Sequence, residues 1–363
     1  MLIKFLNTFK NNTIHNRLFC FLLKKIFSFF FFTNNNRITL VQESYSGSNT
    51  HALNYFFSKD FKSKFDIILI FEKQNIFLKY FYFSTSKINI STHNAYKFKK
   101  KQITIQLWHG PLIKKALVME ENNKFVTKDG WHKIDYILSY SQTYSTFMNA
   151  CMLANGNKYI VTGAPRNDFL FINKENRLIN KNFTKKILVA VTMSEKNSFK
   201  YDIFTNSILD EFLRENNFAI YIKPHPHDEQ KFNKNLLSQF KNILILTDED
   251  LSNEKLDLYQ LLNQFDALIT DYSSIFFDYL LINRPILFLK DIDFQRGFLI
   301  EDIESFVPGP IFINLSQLQK YLLNLEQINE EFKIKKDFIK KQFHRYNDNL
   351  SSARVEKFIE SIM

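Results

Sequence analysis

The chain is short of the residues that nucleotide-binding loops are usually built from. Its seven glycines are scattered, and none falls into G-x-G-x-x-G or a P-loop, which argues against a dinucleotide-dependent oxidoreductase and a P-loop ATPase. Its two cysteines, Cys20 and Cys151, form neither a disulfide framework nor a zinc spacing, which fits a reducing cytoplasm. There is no zinc-finger pattern, aromatic RNA-binding signature or Arg-rich arm, so no nucleic-acid partner is expected. Nor is there an unbroken apolar run of spanning length. Residues 18–32, LFCFLLKKIFSFFFF, are interrupted by Lys24 and Lys25 and fall short of the ~20 residues a transmembrane helix needs.

Proline is equally scarce, and its placement is informative. All seven prolines stand in short polar segments. Pro111 follows Trp108-His109-Gly110, Pro165 precedes Arg166-Asn167-Asp168, Pro224 and Pro226 flank His225, Pro285 follows Arg284, and Pro308 and Pro310 bracket Gly309. Rigid residues confined to these places fix backbone shape beside histidines, arginines and carboxylates. That pattern marks a site.

What is abundant sets the broad class. Hydrophobic residues make up 45% of 363 residues, with 41 phenylalanines; this is a globular chain with room for two domains. The net charge of +11 suits anionic partners. In the basic, apolar segment 1–36, Lys4, Lys10, Arg17, Lys24 and Lys25 can face lipid head groups from an interfacial helix. A core-packed first helix accounts for the same segment, and both readings stand at this point.

After a break at Thr33-Asn34-Asn35-Asn36, apolar runs at 38–41, 66–71, 88–91, 103–107, 136–139 and 159–161 read as strands. A polar stretch, 173–186, reads as a linker. A second series follows at 187–191, 219–222, 243–246, 267–270 and 286–289. Helical segments between these runs imply repeated βα units and mostly parallel sheets. The expected domains are 37–175 and 183–342, with a tail helix at 343–363.

His109 and His225 each stand just past the C-terminal end of a predicted strand, one per half. Ligands of open α/β sheets bind at those ends, so two facing sheets bring both histidines into one cleft. Such a histidine can take a proton near neutral pH or donate hydrogen bonds to phosphate oxygens. Lys114, Lys115, Arg166 and Lys223 are close by in sequence. After the strand at 267–270, Ser273 or Ser274 can cap a helix whose free N–H groups bind phosphate. The acidic pairs in Asp291-Ile292-Asp293 and Asp248-Glu249-Asp250 read as solvated loops, so no metal and no cofactor is expected.

An ordered set of these segments resembles the CDP-glycerol glycerophosphotransferases. It comprises Ile105-Gln106-Leu107-Trp108-His109-Gly110-Pro111-Leu112-Ile113-Lys114-Lys115, Gly163-Ala164-Pro165-Arg166-Asn167-Asp168, Lys223-Pro224-His225-Pro226 and Thr270-Asp271-Tyr272-Ser273-Ser274. Phe277-Asp278-Tyr279, Arg284-Pro285, Arg296-Gly297-Phe298, Pro308-Gly309-Pro310 and Asp348-Asn349-Leu350-Ser351-Ser352-Ala353-Arg354 extend it, over roughly residues 38–358. The resemblance implies a GT-B-like α/β fold, with two Rossmann-like domains and an interdomain cleft. It implies transfer of an alditol phosphate from a CDP-alditol donor to a lipid-linked or polymer hydroxyl acceptor, in teichoic-acid or capsule synthesis on the inner face of the membrane.

By the same resemblance, His109 is the base on the acceptor side. His225 meets the donor diphosphate, and Lys223, Thr270, Asp271, Ser273, Ser274, Asp278 and Arg296 bind the donor. Gly110, Lys114, Arg166, Asp168, Ser351 and Ser352 are further cleft candidates. Two departures bear on donor or acceptor identity. The family's Ala-Pro-Thr plus a basic residue reads Ala190-Val191-Thr192-Met193-Ser194-Glu195 here, and its Gly-Thr-Pro is shortened to Gly110-Pro111. A nucleotide-sugar glycosyltransferase and a non-catalytic binder of anionic polymer are the competing readings.

Overall fold

The computed structural model describes residues 13–43, 45–71, 74–120, 133–192, 200–225, 228, 229, 232, 239–290 and 297–363. Apolar, β-branched runs build two six-stranded sheets. The first contains β1 (Asn34–Gln42), β2 (Asp66–Phe71), β3 (Ser86–Ser91), β4 (Ile103–Gln106), β5 (Tyr136–Ser139) and β6 (Tyr159–Val161), in the order β2-β1-β3-β4-β5-β6. The second contains β7 (Lys185–Val189), β8 (Phe218–Ile222), β9 (Ile243–Ile245), β10 (Ala267–Thr270), β11 (Ile286–Leu289) and β12 (Ile311–Phe312), in the order β12-β11-β10-β7-β8-β9. Every pairing is parallel. Each sheet therefore has a point where chain direction across it reverses: between β1 and β3 in the first, and between β7 and β10 in the second. Crevices for ligands open at such points, beyond the strands' C-terminal ends.

Three details depart from the sequence reading. Asn34, Asn35 and Asn36 are not a break but the exposed first residues of β1. β7 ends at Val189; the buried Ala190 still lies against β10, its N donating to Ile269 O at 2.9 Å, and Val191 stands past the strand end. β12 has only two residues, too few for any periodicity to announce it.

The helices that matter for the site are α1 (Thr13–Phe30), α2 (Asn49–Phe56), α3 (Gln142–Met152), α4 (Ile275–Tyr279), α5 (Lys333–Phe343) and α6 (Ser351–Ile362). One apolar core crosses the seam between the halves. It joins Ile113, Tyr140 and Tyr144 of the first to Leu268, Phe276 and Phe277 of the second. Phe343 of α5 adds to it, with its ring 5.4 Å from Phe147 of α3 and 4.4 Å from Phe277 of α4.

α6 returns to the first sheet. Val355 and Ile359 pack with Ile38, Leu53 and Ile88, and Glu356 accepts hydrogen bonds from Ser58 N at 2.9 Å and Ser58 Oγ at 2.7 Å. Its first turn is held by Asp168, whose carboxylate accepts from Ser351 N at 2.9 Å and Ser352 N at 2.7 Å. Burial raises the Asp168 pKa even though these bonds pull the other way. Asp168, Ser351 and Ser352, expected at the cleft, form this staple instead; all three are buried.

For α1, the contacts are those of the core-packed reading on its inner face. Leu23 is buried, the Phe27 and Phe31 rings stack at 5.1 Å, and Phe31 meets Phe81 at 5.2 Å. The Lys24 amine lies 4.8 Å above the Phe98 ring. The outer face leaves Leu18, Leu22, Phe29 and Phe30 exposed. Among the described residues no helix is long and apolar enough to cross a membrane.

Candidate active site

A cleft of about 590 Å³ lies between the C-terminal ends of the two sheets. One wall is the loop after β4, from Trp108 to Lys115; the other carries Val191, Thr192, His225, Tyr272, Ser273 and Ser274. The two histidines predicted to meet do line one cavity.

His109 is exposed there. Trp108 adopts a left-handed φ of 54°, and this turn aims the next side chain outward. The His109 ring stacks 4.5 Å from that of Trp108 and 4.3 Å from that of His93, with Nδ1 3.5 Å from the Thr92 carbonyl oxygen. Gly110 follows at φ 138°. A Cβ at Gly110 would lie 2.3 Å from Ser274 Oγ and 2.9 Å from Arg166 Nη2, so only glycine lets the two walls approach this closely. Gly110→Ala is expected to destabilise the protein by ~1–3 kcal/mol through strain and overpacking. Thermal melting checks this, and an unchanged midpoint would refute the tight seam.

The same loop is strapped to the second half further on. Leu299 N donates to Ile113 O at 2.7 Å, and Lys115 N donates to Gly297 O at 3.0 Å. Lys114, paired here with Phe298, lines the cleft as expected.

Behind His109 sits Arg166, buried at 5% exposure. It donates from Nη1 to the His109 carbonyl at 2.9 Å and from Nη2 to Asp278 Oδ2 at 2.5 Å. The Tyr259 hydroxyl donates to the same Asp278 oxygen at 2.7 Å. Burial alone would lower the Arg166 pKa, but the Asp278 charge outweighs it and holds the guanidinium protonated more firmly than usual. Arg166 and Asp278 were expected in the cleft. Both lie beneath its floor, as a charge pair across the seam.

On the second wall, His225 follows β8 and its backbone N donates to the Tyr201 hydroxyl at 3.1 Å. Lys223 does not reach the cleft. Its buried amine is 2.9 Å from Glu229 Oε1 and 3.0 Å from Asp248 Oδ1, and so it fixes the turn into His225. Thr270 is buried and donates to Ala190 O at 2.6 Å. Asp271, also buried, accepts from Thr192 N at 3.1 Å and from Lys200 Nζ at 3.1 Å. Burial would raise the Asp271 pKa, but the charges of Lys114 and Lys200 and the Thr192 hydroxyl outweigh it and hold the carboxyl below its usual range. Thr270 and Asp271 brace the wall and leave Thr192 to face the cavity.

Ser273 and Ser274 line the cleft. Ser274 occupies the N-cap position of α4 but makes no side-chain capping bond, which corrects the expected cap. Arg296 lies outside the described residues, as do His132, His227, Asp291 and Asp293. Among the described residues no group of His, Cys, Asp or Glu could hold a metal.

Sequence reasoning missed His93, Glu43, Thr192, Lys200 and Tyr259. Glu43 and His93 fall in no motif, yet they follow β1 and β3, the two strands at which the first sheet reverses. Applying the strand-end rule to every strand would have found both.

Two facing doubly wound sheets, with a basic, histidine-bearing cleft at their strand ends, define a protein of the GT-B fold type. Residues 34–361 match the family model for CDP-Glycerol:Poly(glycerophosphate) glycerophosphotransferase, and the chain belongs to this family. It is 30% identical over 329 residues to a teichoic acid poly(glycerol phosphate) polymerase of Bacillus spizizenii, covering 76% of this chain and 80% of that protein. A teichoic acid glycerol-phosphate primase of Bacillus subtilis is 25% identical over 358 residues, 90% of each chain. A solved structure of the wall teichoic acid polymerase TagF superposes with a TM-score of 0.75 at 20% identity, over 94% of this chain and 92% of that one.

Proposed function

We propose that this chain transfers an alditol phosphate, glycerol phosphate in the first place, from a CDP-alditol to a hydroxyl acceptor on a teichoic-acid-like or capsular polymer. The observation that carries the reading is the placing of His109 and His225 on opposite walls of one cleft, in a chain of this family. His109 takes the proton of the acceptor hydroxyl, and that oxygen attacks the β-phosphorus. The bond from the β-phosphorus to the bridging oxygen breaks, and CMP leaves with the electron pair. Such chemistry depends on positioning and on neutralising charge. His225, Lys114, Ser273 and Ser274 are the groups at hand to meet the diphosphate. Lys223, Asp271, Arg166 and Asp278 hold the walls that carry them.

The test is CMP release from CDP-glycerol and from CDP-ribitol, with a membrane extract as the acceptor source. The preferred donor names the alditol. Consumption of nucleotide sugars with no CMP from either CDP-alditol would replace this reading with an ordinary glycosyltransferase.

Work at the inner membrane face is supported by α1, whose outer face exposes Leu18, Leu22, Phe29 and Phe30, and by the net charge of +11. Apolar contact and attraction to anionic lipid combine in such helices. Wild type is expected to float with anionic vesicles, and Leu18→Ser/Leu22→Ser/Phe29→Ser to stay in solution. Equal flotation of both would rule out α1 as the contact.

A further inference from the structure

The first sheet's reversal point holds a second charged group that the proposed chemistry leaves unused. Glu43 follows β1, His93 follows β3, and His109 follows β4, so the three stand side by side on neighbouring strand ends. His93 Nδ1 is 3.0 Å from Glu43 Oε2 and 2.9 Å from Thr92 Oγ1. The His93 and His109 rings lie face to face, with centroids 4.3 Å apart and planes only 2° from parallel.

Face-to-face imidazoles at this distance carry one charge more readily than two. Two imidazolium rings in contact repel, whereas a charged ring over a neutral one is favourable, as for other cations over aromatic faces. Which ring takes the proton depends on the surroundings. Glu43 stands at the far ring, His93, and the positive Arg166 is bonded to the His109 carbonyl. Lys114 and Lys115 also line the cleft about His109, with His225 across from it and Glu120 as the one acid among the described residues of the lining.

We propose that Glu43 and His93 are positioning residues for His109: Glu43 keeps the proton on His93, and the charged His93 ring holds the stacked His109 ring in place and unprotonated. His109 then stays a base at a lower pH than an isolated imidazole would. This rests on the reading of His109 as the base, and the test separates the two ideas.

The protonation midpoint of His109 is read directly from histidine ring NMR on the full chain without substrate, with its signal assigned by loss in His109→Gln. Wild type is compared with Glu43→Gln and with His93→Phe, which keeps a flat ring in the stack. In each variant the His109 midpoint is expected to rise, by on the order of one pH unit for a neighbouring charge at this range. The acid limb of the pH profile for CMP release rises with it, while the high-pH plateau stays within a few-fold of wild type. A midpoint unchanged or lowered in both variants, with melting behaviour kept, overturns the proposal. A raised midpoint in a protein that releases no CMP from any CDP-alditol leaves the pair intact and sinks the transferase reading instead.

Discussion

His109→Ala is expected to lower CMP release by ~10²-fold or more, the usual scale for loss of a general base. The variant should keep its fold. The ring is exposed in the cleft, and the loop that carries it is held by backbone bonds, from Arg166 Nη1 to the His109 carbonyl and from Leu299 N to Ile113 O. None of these uses the imidazole. A thermal midpoint close to wild type, together with collapsed turnover, is the signature of lost chemistry and not of lost structure. Near-normal turnover would remove His109 from the reaction. His225→Ala serves as the companion: the same wall-lining position predicts a large loss in turnover, with saturation by donor weakened as well.

The second large effect falls on stability. Arg166→Ala is expected to cost ~3–5 kcal/mol, because it strands the buried Asp278 carboxylate without its partner. Asp278 has 0% exposure, so water cannot take over the missing bond. Replacing both partners by apolar groups of similar volume, as in Arg166→Met/Asp278→Leu, should recover much of that loss, since two desolvated charges leave together. Activity should not recover with it, because the His109 carbonyl still lacks the guanidinium 2.9 Å away. Denaturant titration and CMP release on the same three proteins check both halves. A single variant as stable as wild type would mean the pair contributes nothing across the seam.

Which parts of this were open to sequence reading follows from the range of the forces involved. The strands were legible because a parallel sheet buried on both faces demands continuous apolar runs, and eleven of them stand out. β7 was misplaced by two residues because Ala190 and Val191 are apolar for a different reason: Ala190 joins the core that crosses the seam, and Val191 packs in the second half's core at the edge of the cleft. That His109, His225, Ser273 and Ser274 meet at one cleft was legible because each follows a strand closely. The roles of Arg166 and Asp278 were not. Their pairing spans 112 residues of chain, and a motif names such residues without saying whether they meet a ligand or each other. Lys223 misled in the same way, since nothing local shows Glu229 and Asp248 taking up its charge. His93 and Glu43 were passed over because they lie in no motif; each follows a strand end, but only the strand order brings both to His109.

The closing of α6 over the first sheet has a consequence for synthesis on the ribosome. Chains usually complete their domains in the order in which they are made. Here Val355 and Ile359 belong to the same core as Ile38 and Ile88, and Asp168 waits for Ser351 and Ser352. The half of the molecule translated first is therefore the last to be finished. The second sheet can form while the nascent first sheet still lacks its covering helix, so the wall bearing His109 is secured only after nearly all of the sequence has emerged. A product lacking α6 would carry an assembled second half but a first-sheet core without its cover, the kind of open region that proteolysis reaches first.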